Sequence, residues 1–291
     1  MRWKGREQSQ NVEDRRGIGP GTAVAGGGIG VLIVALIAMF MGADQNTLQR
    51  ILGQGQNRPA VAQDKRAGAG DGIQDEAGEF ISVTLRDTEK VWQKLFQQYV
   101  QGEYRAPKLI IFKDQVRSGC GMASAAMGPF YCPADQQVYI DPSFFDQLAR
   151  RHDAPGDFAQ AYVIAHEVAH HVQELLGQND RLNEARQRRN ETLVNQESVR
   201  LELQADFLAG VWAHHAQKDF NILEDGDIQE GINAANQIGD DTLQLQAQGY
   251  VEPKRFTHGT SQQRMHWFKQ GLMSGDPRQM TAVFELDYRE L

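Results

Sequence analysis

The run His166-Glu167-Val168-Ala169-His170 sets two imidazoles four residues apart with a carboxylate beside the first. On an α-helix, positions i and i+4 are separated by about 40° in azimuth and about 6 Å along the axis, so both histidines project from one face at a spacing that suits two positions of a tetrahedral Zn²⁺. Glu167 then stands beside the metal rather than on it. From there a carboxylate can take a proton from a water attacking a peptide carbonyl and pass it to the leaving amine, while the metal polarises the carbonyl oxygen. Five residues are a short pattern, so the setting has to add to it. The apolar stretch Ala161-Tyr162-Val163-Ile164-Ala165 leads into the motif, and the small Ala165 and Ala169 allow close packing under a metal. His171 points about 100° away from His170, which makes it an outer-face or packing residue.

No Gly-x-x-His follows His170, so a third ligand is expected on another helix. The segment Leu201-Glu202-Leu203-Gln204-Ala205-Asp206 offers one. Glu202 and Asp206 fall on one helical face, where the glutamate can ligate and the aspartate can accept the outer N–H of a ligating histidine, fixing its tautomer. Glu197 is a weaker alternative because no aspartate follows it one turn on. His214 and His215 lie about three turns beyond Glu202 and read as surface or packing residues.

The chain has 291 residues, 30 basic against 38 acidic, for a net charge of −8; beyond its N-terminus no Lys/Arg cluster could track a phosphate backbone, which excludes nucleic acid as a partner. From Gly17 to Ala43 there is no charged side chain. Residues 22–42 are long enough to cross a hydrocarbon core of about 30 Å at about 1.5 Å per residue, and are expected to form a transmembrane anchor. Arg2, Lys4, Arg6, Arg15 and Arg16 precede them, so the positive-inside rule makes 1–21 a cytoplasmic basic N-terminus. A catalytic domain would then face the periplasm or exterior of a bacterial inner membrane. Cys120 and Cys132 are the only cysteines; either free thiols or a disulfide is open to them, and an oxidising compartment favours the disulfide.

Residues 43–79 are rich in Gly, Gln, Ala and Asp and read as a flexible linker. Beyond it, Val91, Trp92, Leu95, Phe96 and Tyr99 recur at helical spacing after a capping-type Asp87-Thr88-Glu89. Leu109 to Phe112 and Gln137 to Asp141 read as strands, Phe144 to Arg150 as a short helix, and Phe158 to Leu176 as the long helix that carries the motif, ended by Gly177. Helix is expected again from Asp180 through Gln217 and from about Asp225. These elements make 80–291 one α+β domain, predominantly helical with a small mixed sheet whose edge strand is Val138 to Asp141.

Taken together, Arg2-Trp3, Arg6, Ser9, Asn11 to Arg16, Ser118 to Gly121, Tyr131-Cys132-Pro133, Val138 to Asp141, His166 to His171, Glu202 to Asp206 and Thr257 to Ser261 resemble the bacterial neutral zinc metallopeptidase family (YpfJ-like). The resemblance implies a membrane-anchored, gluzincin-type zincin that binds one Zn²⁺ per chain through His166, His170 and Glu202 and acts on a peptide or protein substrate. Thr257-His258 with Arg264 is similar to a Thr-His-Pro-x-x-x-x-Arg element of HtpX-like peptidases, with Gly259 in place of the proline. That likeness implies a catalytic His258 bonding the oxyanion; the residue alone equally reads as a turn histidine capping the helix that starts at Thr260 or Ser261. Two other functions share these residues: a non-catalytic zinc-binding envelope scaffold, which would have no use for Glu167, and a zinc amide or cell-wall hydrolase, which differs only in substrate.

Overall fold

The computed structural model describes residues 1–17, 75–100, 102–151 and 154–291. The anchor expected at 22–42 and nearly all of the 43–79 linker lie outside the described residues. Among the described residues, no helix is long and apolar enough to cross a membrane. The chain is mostly helical with a small mixed sheet, as an α+β class requires.

Helix α1 spans Glu76–Tyr99. Its cap is Asp75, whose side chain accepts from the Gly78 N–H at 2.7 Å, and Glu76 and Glu79 in the first turn face the positive end of the helix dipole. Asp87-Thr88-Glu89 are therefore not a helix start; all three are buried inside α1. Asp87 takes both guanidinium arms of Arg6 at 2.7 and 2.8 Å, and Glu89 accepts from Ser9 and Asn11. Arg6, Ser9 and Asn11 come from far away in sequence, so locally Asp87 and Glu89 look like a cap.

The same contacts bring the first residues onto the domain. Met1 to Gly17 do not form a separate tail but pack on the domain. Trp3 is buried with its ring edge-on to Phe80, and strand β1 (Val12–Asp14) pairs in parallel with β2 (Lys108–Ile111). β2 in turn runs parallel to β6 (Gln137–Ile140), which pairs antiparallel with β5 (Phe130–Cys132). The sheet order β1-β2-β6-β5 makes β6 an inner strand, with Val138, Tyr139 and Ile140 all buried, and gives the edge beside the motif helix to β5. The expected edge at Val138 to Asp141 is thus displaced by one strand. Its continuous apolar run is what a strand covered on both faces shows. A hairpin of β3 (Gln115–Ser118) and β4 (Gly121–Ser124) carries Cys120 in its turn, bonded to Cys132 of β5.

After helix α2 (Ser143–Arg151), the motif helix α3 (Asp157–Leu175) is buried along most of its length. The helix expected through 180–217 is broken into α4 (Asp180–Gln187) and α5 (Glu191–Phe220): Arg189 takes a left-handed φ of 51°, and Asn190 caps α5 by accepting from the Leu193 N–H. Helices α6 (Asp227–Gln237) and α7 (Asp240–Gln248) lead to α8 (Ser261–Ser274). α5 and α8 cross closely because Gly210 and Gly271 have no side chain: a Cβ on Gly271 would collide with the carbonyl of Phe207, and one on Gly210 with that of Phe268. That close crossing sets Asp206 against Arg264.

Candidate metal centre and its surroundings

The histidines of α3 face Glu202 of α5. His166 Nε2 is 3.1 Å from Glu202 Oε2, His170 Nε2 is 3.5 Å from Oε1, and one ligand atom of each of the three residues lies within 4.8 Å of the others. The outer nitrogens are occupied. His166 Nδ1–H donates to Asp206 at 2.8 Å and His170 Nδ1–H to Gln173 Oε1 at 2.8 Å; Gln173 is fixed in turn by donating to the Leu201 carbonyl and to Gln204. Each imidazole is thereby oriented with Nε2 toward the carboxylate, the arrangement that metal-binding histidines usually need. Two nitrogens and one carboxylate converging with a side open fit a catalytic Zn²⁺ better than a closed structural site, which fills all four positions with protein.

Asp206 is fully buried and anchors more than His166. It accepts from the Tyr162 hydroxyl at 2.5 Å and from Arg264 at 2.8 and 3.0 Å, and Arg264 also donates to the Ile238 carbonyl. Burial opposes ionisation of Asp206, but the charges of Arg264 and His166 outweigh it and hold the carboxyl below its usual value. Burial likewise opposes charge on His166; Asp206 and then Glu202 override it and push this imidazole up to about 9.

Glu167 is buried on the same helix, and its carboxylate makes no hydrogen bond or ion pair with the described residues. His171 turns away, its Nε2–H donating to the Arg105 carbonyl at 2.6 Å and its Nδ1 accepting from Tyr131 of β5 at 3.1 Å. Glu197 is held by Arg181, while His214 and His215 donate to the carbonyls of Leu272 and Gly275.

His258 sits in a loop organised by Asp240. One carboxylate oxygen accepts the consecutive backbone N–H groups of Thr257, His258 and Gly259 at 2.7, 2.6 and 3.1 Å, and the other faces His258 Nδ1 at 3.1 Å. Gly259 has φ +91° and donates its N–H, and a proline could do neither, so the departure from the HtpX-like element is built into this loop. The helix after it is capped by Thr260 in a capping box with Gln263, which leaves His258 free of that task. Its side chain is half exposed, and burial of its charge is opposed first by Glu202 and then by Asp240, which raise its pKa.

Residues missed from sequence divide into two kinds. Tyr162 and Gln173 lie one turn from His166 and His170, so helical spacing held the signal. Asp240 and Tyr131 reach the site only through tertiary folding.

A family model described as "putative neutral zinc metallopeptidase" matches residues 1–283. The chain belongs to that family. It is 48% identical over 288 residues to the uncharacterised protein YpfJ of Escherichia coli K12, covering 96% of this chain and 97% of the relative. It is also 40% identical over 207 residues to the uncharacterised protein Rv2575 of Mycobacterium tuberculosis, covering 68% and 67%. No solved structure matches. The family implies zinc, and the His166/His170/Glu202 group is where the donors for it converge.

Proposed function

We propose that the protein is a zinc-dependent peptidase that hydrolyses peptide bonds with Glu167 as general base. The observation that carries this reading is a Glu167 carboxylate without a hydrogen-bond or ion-pair partner among the described residues, on the same helix as two imidazoles that converge with a carboxylate. When bound, Zn²⁺ supplies Lewis acidity to a water and to the scissile carbonyl. Glu167 removes the proton of the attacking water and returns it to the leaving amine. His166 and His170 are kept in one tautomer by Asp206 and Gln173, so no reorientation is needed during turnover. His258, fixed through Asp240, donates toward the developing oxyanion. The Cys120–Cys132 disulfide supports an oxidising compartment for the domain.

The test is Glu167→Gln, assayed on a mixed peptide library alongside a zinc determination. The variant is expected to bind zinc as the wild type does and to lose about 100-fold or more in hydrolysis, the range for removing a general base. A Glu167→Gln protein with undiminished activity defeats the assignment.

A further inference from the structure

A cavity of about 220 Å³ opens directly beside the metal-binding group, with His170 and Glu202 among its lining residues. Binding sites for whole small molecules are usually about 300–1,000 Å³, so this one has room for a single amino-acid side chain. Part of its lining is apolar: Leu182 and Leu201, both buried, with Tyr131 of the edge strand β5. The polar part is Arg186, at the end of α4, and Ser198 on α5.

Arg186 differs from its neighbours. Arg181 is paired with Glu197 and Arg188 with Glu184, whereas Arg186 makes one long contact, 3.5 Å to Asn183 Oδ1, and no ion pair among the described residues. The Ser198 hydroxyl has no hydrogen bond to the described residues either. A guanidinium without an ion pair among the described residues, in a pocket lined in part by apolar side chains, matches a short apolar stem ending in a planar carboxylate, which it can grip with two N–H groups. Glu202 in the lining and Glu174, bonded to the lining Asn179 at 2.6 Å, would oppose such a guest, but a dication held by His166, His170 and Glu202 offsets the first and the Asn179 amide engages the second.

We propose that this pocket is the subsite for an acidic side chain, glutamate or aspartate, of the residue next to the scissile bond, with Arg186 as its counter-charge. The proposal rests on the peptidase reading above. Because the pocket shares His170 and Glu202 with the metal site, the residue it accepts must adjoin the bond being cut.

The experiment uses the zinc-loaded full chain and internally quenched peptides in which the residue on either side of the scissile bond is Glu, Gln, Leu or Lys. The Glu peptide is expected to exceed the isosteric Gln peptide in kcat/KM by about tenfold at low ionic strength, with the ratio shrinking as salt is raised. Arg186→Gln should bring that ratio to about one, and Arg186→Glu should turn the preference toward Lys. A wild type that cleaves the Gln peptide as well as the Glu peptide, or an Arg186→Gln variant that keeps the preference, overturns the subsite. Anisotropy binding of the same labelled peptides to zinc-loaded Glu167→Gln separates this idea from the peptidase reading. Tighter binding of the Glu peptide, abolished by adding Arg186→Gln, sustains the subsite even if no peptide is hydrolysed. Equal binding of all four peptides refutes it whatever the activity.

Discussion

Asp206→Asn is the most informative single change, because one buried carboxylate serves both the stability of the domain and its metal. Asparagine keeps the shape and one acceptor oxygen, so the substitution removes charge with little change in volume. The Arg264 guanidinium, buried with Asp206 as its only ion-pair partner among the described residues, would then face an N–H₂ group at 2.8 to 3.0 Å. Breaking a buried pair from one side costs about 3–5 kcal/mol. Separately, the His166 Nδ1–H loses its anionic acceptor, and changes to such supporting groups weaken metal binding by about 10–100-fold, or about 1.4–2.7 kcal/mol. Urea unfolding in the presence of a chelator reads the first loss, and competition with a chromophoric chelator reads the second. The double variant Asp206→Leu/Arg264→Met separates them: with both charges gone, stability should largely return, while zinc affinity should stay low. The reasoning is refuted if Asp206→Asn unfolds within about 1 kcal/mol of wild type and its zinc affinity is unchanged.

Two further outcomes concern titration and the His258 loop. In the metal-free protein His166 is raised to about 9, and a raised pKa means stabilisation that is complete below the unfolded value of about 6.5 and lost as pH climbs through about 9. The unfolding free energy of the metal-free protein, read from urea titrations, should therefore fall between pH 7 and 9.5 by an amount on the order of 3 kcal/mol at most, with the midpoint falling in step, and zinc should abolish the trend by replacing the proton; Asp87, raised to about 6, titrates below this window. A midpoint that rises with pH contradicts the assignment. For the loop, His258→Ala should lower kcat/KM by about 100-fold if this side chain serves the oxyanion. Asp240→Asn should do much the same, with the double variant no worse than the singles; activity within threefold or so of wild type for His258→Ala confines the residue to a structural part.

The metal group was legible because its geometry is local. His166, Glu167 and His170 share one helix turn, and Glu202 and Asp206 share another, so helical spacing alone predicts which faces they occupy. What spacing cannot supply is the pairing between the helices: Arg264 meets Asp206 only because Gly210 and Gly271 let α5 and α8 approach closely. The sheet was less legible for a similar reason. Val138 to Ile140 announce a buried strand, but whether a strand is inner or edge depends on β5, a three-residue strand too short to carry a pattern. Asp87 and Glu89 misled because a buried carboxylate held by distant partners, Arg6 for the first and Ser9 and Asn11 for the second, has the same local sequence as an exposed cap.

Strand β1 pairs Val12 with Leu109, and Arg16 forms an ion pair with Asp75, so the two ends of the segment between Gly17 and Asp75 are tied together on one surface of the domain. The arginines that read as a signal for sidedness are instead engaged with carboxylates of the folded domain: Arg6 with Asp87, and Arg16 with Asp14 and Asp75. Residues 1–17 and the helices that carry His166 and Glu202 thus belong to one folded body. Detaching residues 1–17 would cost the sheet its β1 edge and deprive the buried Asp87 of the Arg6 guanidinium.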